Sequence, residues 1–351
     1  MSAPVVKQQY NMMDVVKFLS AILLVCAHTA SERVNLPGIL DLACSLYIVT
    51  VPFFFVASSF LFFKKLNKCG EEEQKSAYRK YTKRIGMMYL AWSLIYFCFV
   101  ATTWVQTDAG SDVILSYFHS CLVYTTYPTI WFLPALWIAV SLVYLMRYRL
   151  KWSMGCVFVV ALVLYVLGAV EYSYHSLSHI TDSINDSYVA IMKSWRNGLF
   201  NGFIYACIGC IIANGDGKLN LAKSIAGTCV FGVAFLAEAF LMKRIVPSAD
   251  ANFLLMLVPF SYFFFDLVCR IQLPDSKIYV PLRKMSMLIF VSQRLFLTAI
   301  PSVIVARSVT GPWDLTNNGC LALLLVLCEV IVFSYMIIAL STKVKILKYL
   351  M

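Results

Sequence analysis

Uninterrupted apolar runs, each about as long as a bilayer is thick, recur from one end of the chain to the other. Ten are evident, at about 12–30, 39–63, 84–105, 130–147, 152–170, 195–213, 222–242, 250–269, 286–305 and 318–341. A helix needs about 20 apolar residues to cross a hydrocarbon core of about 30 Å. The pattern predicts an all-α integral membrane protein, a bundle of about ten transmembrane helices. The segments between the runs are too short for a soluble domain, so residues 1–351 are expected to form a single polytopic membrane domain. Composition agrees: 61% of the chain is hydrophobic and 13% charged, where a soluble domain is about half apolar and a quarter charged.

Charge then orients the bundle. Basic residues crowd the segments 64–84, 147–151, 214–223 and 270–285, the start of the chain and its tail. Only Arg33, Lys193, Arg196, Lys243, Arg244, Arg307 and Arg294 fall elsewhere. With ten spans these crowded segments share one side, and the positive-inside rule makes that side, and both termini, cytoplasmic. The same asymmetry accounts for the net charge of +11, so no nucleic-acid partner is implied. The first run holds Asp14 and Lys17 and ends at His28-Thr29-Ala30-Ser31 without a strong cleavage pattern. It reads as a retained helix rather than a signal peptide. The twelve cysteines lie mostly within runs or at their ends, as small apolar residues. Cys207-x-x-Cys210 in an apolar helix reads as packing.

Polar residues inside the runs carry the candidate chemistry. Eleven residues of α-helix turn about 1100°, so Lys17 and His28 share a face roughly 16 Å apart along the axis. Ser20, Ala21 and Leu24 lie on that face, and Asp14 precedes Lys17 by a turn. Burying a cation near one side of a bilayer and an imidazole near the other is costly, which points to a helix lining a path. Snorkelling of both groups to the interfaces is the plainer account. Arg294 and Glu329 fall midway through the last two runs. An ion pair between them is the economical expectation, either as a lock on packing or as part of a tunnel wall. Glu238 and Asp266 lie near run ends, Asp266 one turn from Arg270. In the connection 171–194, Glu171, His175 and His179 have zinc-like spacing if helical. Polar loops collect such residues freely, and no metal is expected. The connection 106–129, with Tyr117, Phe118, Tyr124 and Tyr127, reads as a lid at the membrane edge or an aromatic belt.

Asp14-x-x-Lys17, ten residues and then His28 resembles the first helix of the membrane-bound acyltransferase 3 family. Val51-Pro-Phe-Phe-Phe-Val-Ala-Ser-Ser-Phe60 is similar to that family's second-helix run. Trp131-Phe-Leu-Pro-Ala-Leu136, Phe203-Ile-Tyr-Ala-Cys-Ile-Gly209 and Met285-Ser-Met-Leu-Ile-Phe-Val-Ser-Gln-Arg294 resemble later elements. The chain departs from the pattern in having Gln293 where the family has His, and Ser58-Ser59 for Ser-Gly. Lys80-Tyr-Thr-Lys83-Arg84 stands where the family has Arg-x-x-Arg.

The resemblance implies an integral acyltransferase in the cytoplasmic membrane of a bacterium. It would move an acetyl or other acyl group from cytoplasmic acyl-CoA to a hydroxyl of an envelope glycan or lipid-linked sugar. His28 would be the catalytic residue, as general base or acyl carrier. Lys17, Lys80, Lys83 and Arg84 would hold the donor, whose phosphates suit a basic cluster. Asp14, Ser20, Trp131, Gln293, Arg294 and Glu329 would line the substrate path, with Trp131 as a sugar-stacking platform or an interface anchor. The alternative is a transporter or flippase of a polar solute, like the membrane domains of serine racemases, with Lys17, His28, Arg294 and Glu329 along its route.

Overall fold

A computed structural model describes residues 10–33, 46–175, 182–216, 219–245, 251–300 and 319–351. All regular structure among them is helical. The α-helices are α1 (Asn11–Arg33), α2 (Thr50–Leu66), α3 (Glu71–Thr107), α4 (Ser111–Val123), α5 (Phe132–Val143) and α6 (Met154–Tyr172). They continue as α7 (Asp182–Met192), α8 (Phe203–Asn214), α9 (Leu221–Ile245), α10 (Leu257–Arg270), α11 (Tyr279–Arg294) and α12 (Gly319–Leu340). Widened π turns extend α5 (Tyr144–Arg149), precede α8 (Gly198–Gly202) and extend α11 (Leu295–Ala299).

Each of the ten predicted runs falls on a helix. Six helices are long and apolar enough to cross a membrane by length and composition: α1, α2 with its leading turn, α3, α6, α9 and α12. The helices at the remaining runs, α5, α8, α10 and α11, are shorter. Two boundaries differ from expectation. The basic segment 64–84 is largely helix, because α3 starts at Glu71 and carries its charged residues on a polar extension. Helix α11 starts at Tyr279, so Arg283 and Lys284 are helical residues rather than loop cations.

Contacts between distant segments sort the bundle into two ends. Asn11 Nδ2 donates to Asp275 Oδ1 at 3.1 Å, and Lys64 donates to Tyr10. Asn67 Nδ2 donates to Asn214 Oδ1 at 2.6 Å, and Lys151 pairs with Glu71 at 2.7 Å. The described parts of segments 64–84, 147–151, 214–223 and 270–285 are therefore gathered at one end, the Asp14 end of α1. The residues 185–196 gather at the other, where Trp195 stacks on Tyr188 at 3.8 Å and donates to Asn185.

Helix α2 is the centre of the core. Its Pro-Phe-Phe-Phe run is buried, and Phe54, Phe55, Phe132 and Phe290 form a chain of ring contacts at centroid distances of 4.6–6.2 Å. Without water to drive helices together, close backbone approach supplies the packing in such bundles. Gly209 of α8 provides it here: a Cβ there would sit 2.6 Å from the Val56 carbonyl of α2. Helices α9 and α10 pack as a pair at the side. Glu238, near a run end, caps α10: its carboxylate accepts from the Leu255 and Met256 amides at 2.8 Å and from the Tyr174 hydroxyl.

Candidate functional site

Helices α1 and α11 run side by side and in the same direction, joined by a polar contact at each end. At one end Arg283 grips Asp14 with both arms of its fork, Nε to Oδ1 at 2.9 Å and Nη2 to Oδ2 at 2.6 Å. Asp14 is fully buried and Arg283 half exposed, so the guanidinium meets water while it neutralises a carboxylate that could not stay charged alone. At the other end Arg294 Nη2 lies 3.4 Å from His28 Nδ1. Arg283 and Arg294 are eleven residues apart, the spacing that also puts Lys17 and His28 on one face of α1.

Lys17 is buried, 8% exposed. Asp14, Arg283 and Arg84 are all close enough to act on its charge. Of the four residues expected to hold a donor, only Lys17 is buried; Arg84 is exposed on α3, near enough to act on the Lys17 charge. Lys80 and Lys83 are likewise exposed on the polar extension of α3. Ser20 contributes its carbonyl, which accepts from the Thr50 hydroxyl at 3.4 Å.

The His28 end is richer than expected. The Tyr47 ring is 6.0 Å from the imidazole, and Arg196 is close enough to act on its charge. The Arg196 guanidinium stacks over Trp131 at 4.9 Å, a cation–π contact, and Trp131 is 6% exposed. Trp131 therefore bears a cation on its ring. Gln293 is buried; its Nε2 donates to Phe290 O at 3.1 Å, and its Oε1 has no hydrogen-bond partner among the described residues. A cavity of about 470 Å³ opens here between Tyr117, Tyr124, Tyr127, Lys193 and Arg196. Tyr127 lies against Tyr96 at 4.1 Å and bonds Thr298, whose hydroxyl donates to Arg294 O at 2.8 Å. The cavity wall is thereby linked to the turn that carries Arg294.

One expectation fails. No ion pair joins Arg294 to Glu329 among the described residues; Arg294 turns to His28, and Glu329 is exposed on α12. Arg283 and Arg196 were not among the expected site residues. The eleven-residue echo of Arg283 and Arg294 was the available signal for the first; nothing local marked the second. In the connection 171–194, Glu171 and His175 approach to 3.8 Å, while His179 lies outside the described residues. No group of three or more potential metal ligands occurs among the described residues. A second polar cavity, about 510 Å³, lies at the Asp14 end between Asn67, Glu71, Arg147, Lys151 and Asp216. No residue of α1 or α11 lines either cavity.

The two-ended seam lies within a match to a family model described as an acyltransferase domain, which covers residues 10–339. The chain belongs to the acyltransferase 3 family. Nearly its whole length is acyltransferase domain, and the Lys-x10-His spacing lies inside it. Among curated proteins, the chain is 21% identical over 349 residues to an amino-acid racemase of Enterococcus faecalis, covering 97% of this chain and 48% of that protein. It is 24% identical over 265 residues to a serine/alanine racemase of Enterococcus gallinarum, covering 73% of this chain and 37% of that protein. The chain thus spans half or less of the length of these relatives. No solved structure matches it.

Proposed function

We propose that this membrane acyltransferase moves an acetyl or other acyl group from cytoplasmic acyl-CoA to a hydroxyl of an envelope glycan or lipid-linked sugar. The observation that carries the reading is the α1–α11 seam: buried Lys17 beside the Asp14–Arg283 pair at one end, and His28 held against Arg294 at the end where a cavity opens. Lys17 and Arg84, with Lys80 and Lys83 at the mouth, attract the donor's phosphates. The thin pantetheine arm follows the seam and brings the thioester to His28.

Arginine has only donors, so its contact with Nδ1 uses that atom's lone pair and leaves the neutral imidazole's proton on Nε2. Arg294 thus holds the ring in one tautomer. As the donor arrives, Arg294 shifts onto the thioester oxygen and frees Nδ1. His28 Nδ1 then takes the acceptor's hydroxyl proton as the oxygen attacks the carbonyl carbon. Arg294 stabilises the negative charge that develops on the carbonyl oxygen. The carbon–sulfur bond breaks, and the leaving thiolate takes the proton from His28, so that free coenzyme A, an ester and the neutral imidazole result. The test is purified protein in a lipid disc with acyl-CoA and a panel of envelope glycans, following thiol release and acylated product. Thiol release that never depends on a glycan, together with no acylated product, overturns the proposal.

The racemase names of the relatives favour a second reading, passage of an amino acid or similar polar solute along the same seam. Uptake of labelled serine or alanine into protein-loaded vesicles without acyl-CoA would establish it.

A further inference from the structure

The cavity at the His28 end has a chemical bias that the family membership does not explain. Its described lining combines tyrosines Tyr117, Tyr124 and Tyr127, the hydroxyl of Ser120, and two cations, Lys193 and Arg196; no carboxylate is among the described lining residues. Burial raises the Tyr117 pKa above its ordinary value, so this hydroxyl stays a neutral donor. Aromatic faces and hydroxyls suit a sugar, and the paired cations suit an anion.

The cations are positioned rather than trailing. They flank Trp195, which is 6% exposed, stacked on Tyr188 and hydrogen-bonded to Asn185. Asn197, next to Arg196, caps the following turn by accepting from the Leu199 and Phe200 amides at 2.9 and 3.1 Å. Lys193 adopts φ 65°, the left-handed region that a lysine enters only at a cost. Glycine would satisfy the backbone there at no such cost. The position keeps a cation at the expense of its local conformation.

We propose that the acceptor carries an anionic oxygen group, a phosphate or a carboxylate, and that Lys193 and Arg196 bind it in this cavity. The assignment rests on the acyl-transfer reading for its name, since only there is the occupant an acceptor. The anion site itself is tested without any donor. Binding of a hexose 1-phosphate, a hexuronate and the neutral hexose is measured by calorimetry on the full-length protein in lipid discs at low salt. One or both anions should bind at least about tenfold more tightly than the neutral sugar. Whichever anion binds more tightly separates a phosphate source from a carboxylate source. Lys193→Gly and Arg196→Gln should each abolish most of that preference, and Lys193→Gly should melt no lower than the parent because it relaxes the backbone. Equal or undetectable binding of charged and neutral sugars overturns the proposal, as does an anion preference that both substitutions leave intact. If anions bind as described but no acyl group is ever transferred, the anion site stands and the acyl-transfer reading falls.

Discussion

Two helix pairs in this protein bury charge, and they do so differently. In the α9–α10 pair buried Asp266 and half-buried Glu238 are answered locally. Asp266 accepts from Arg270 one turn away at 2.6 and 3.2 Å and from Ser224 at 2.5 Å, and Glu238 accepts two backbone amides and a tyrosine hydroxyl. These groups close the structure they belong to. In the α1–α11 pair the contacts join residues 266 and 269 positions apart. The His28–Arg294 contact lies at the end of the bundle where a cavity opens, and next to Arg294 in the chain is a buried amide oxygen, that of Gln293, without a partner among the described residues. Buried polarity that is fully satisfied within one element and its neighbour reads as architecture. Buried polarity left incomplete beside open space reads as a place for a ligand.

The sharpest way to break this comparison is His28→Ala. Acyl transfer should fall by about 10²–10⁴-fold, as for loss of a general base, while donor binding and melting temperature stay close to the parent. A rate within a few-fold of the parent would remove His28 from the mechanism. Arg294→Gln comes next. It should lower kcat by about 10²-fold with little change in donor KM, because the interaction is made mainly in the transition state. An equal loss expressed only in KM would make Arg294 a binding residue.

Glu238→Ala tests the other pair. It strips the start of α10 of two amide partners and should cost roughly 2 kcal/mol or more of stability. The activity of the protein that remains folded should be unchanged; a matching fall in kcat would erase the distinction between the pairs. The smallest effect is expected from Asp14→Asn. Arg283 is half exposed and can turn to water, so stability should change by about 1 kcal/mol. The acyl-CoA KM should shift a few-fold as Lys17 loses its neighbouring carboxylate. An unchanged KM would detach the Asp14 end from donor binding.

The apolar runs announced the helices, and the eleven-residue stripe on α1 announced Lys17 and His28, because both are local properties of a 3.6-residue period. The partners of that stripe were harder to read. The charges of Arg283 and Lys284 depress local hydropathy, so the run around 286–305 was drawn to start after them, and Arg283 passed for a loop cation. Charge complementarity alone favoured Glu329 for Arg294. Helix α12 is apolar nearly all the way round, so no polar stripe fixed which face Glu329 occupies, and packing turned it outward. Lys80, Lys83 and Arg84 are all exposed on α3. The Arg196–Trp131 stack joins two connections far apart in the chain, which no window of sequence encloses.

The parallel seam has a mechanical consequence. Asp14 and His28 are fourteen residues apart on α1, a rise of about 21 Å, whereas Arg283 and Arg294 span only about 16 Å on α11. The shortfall of about 5 Å is made up by two long side chains leaning outward in opposite directions. Helix α11 therefore sits like the beam of a balance. A slide along its axis that slackens the reach at one end would stretch it at the other.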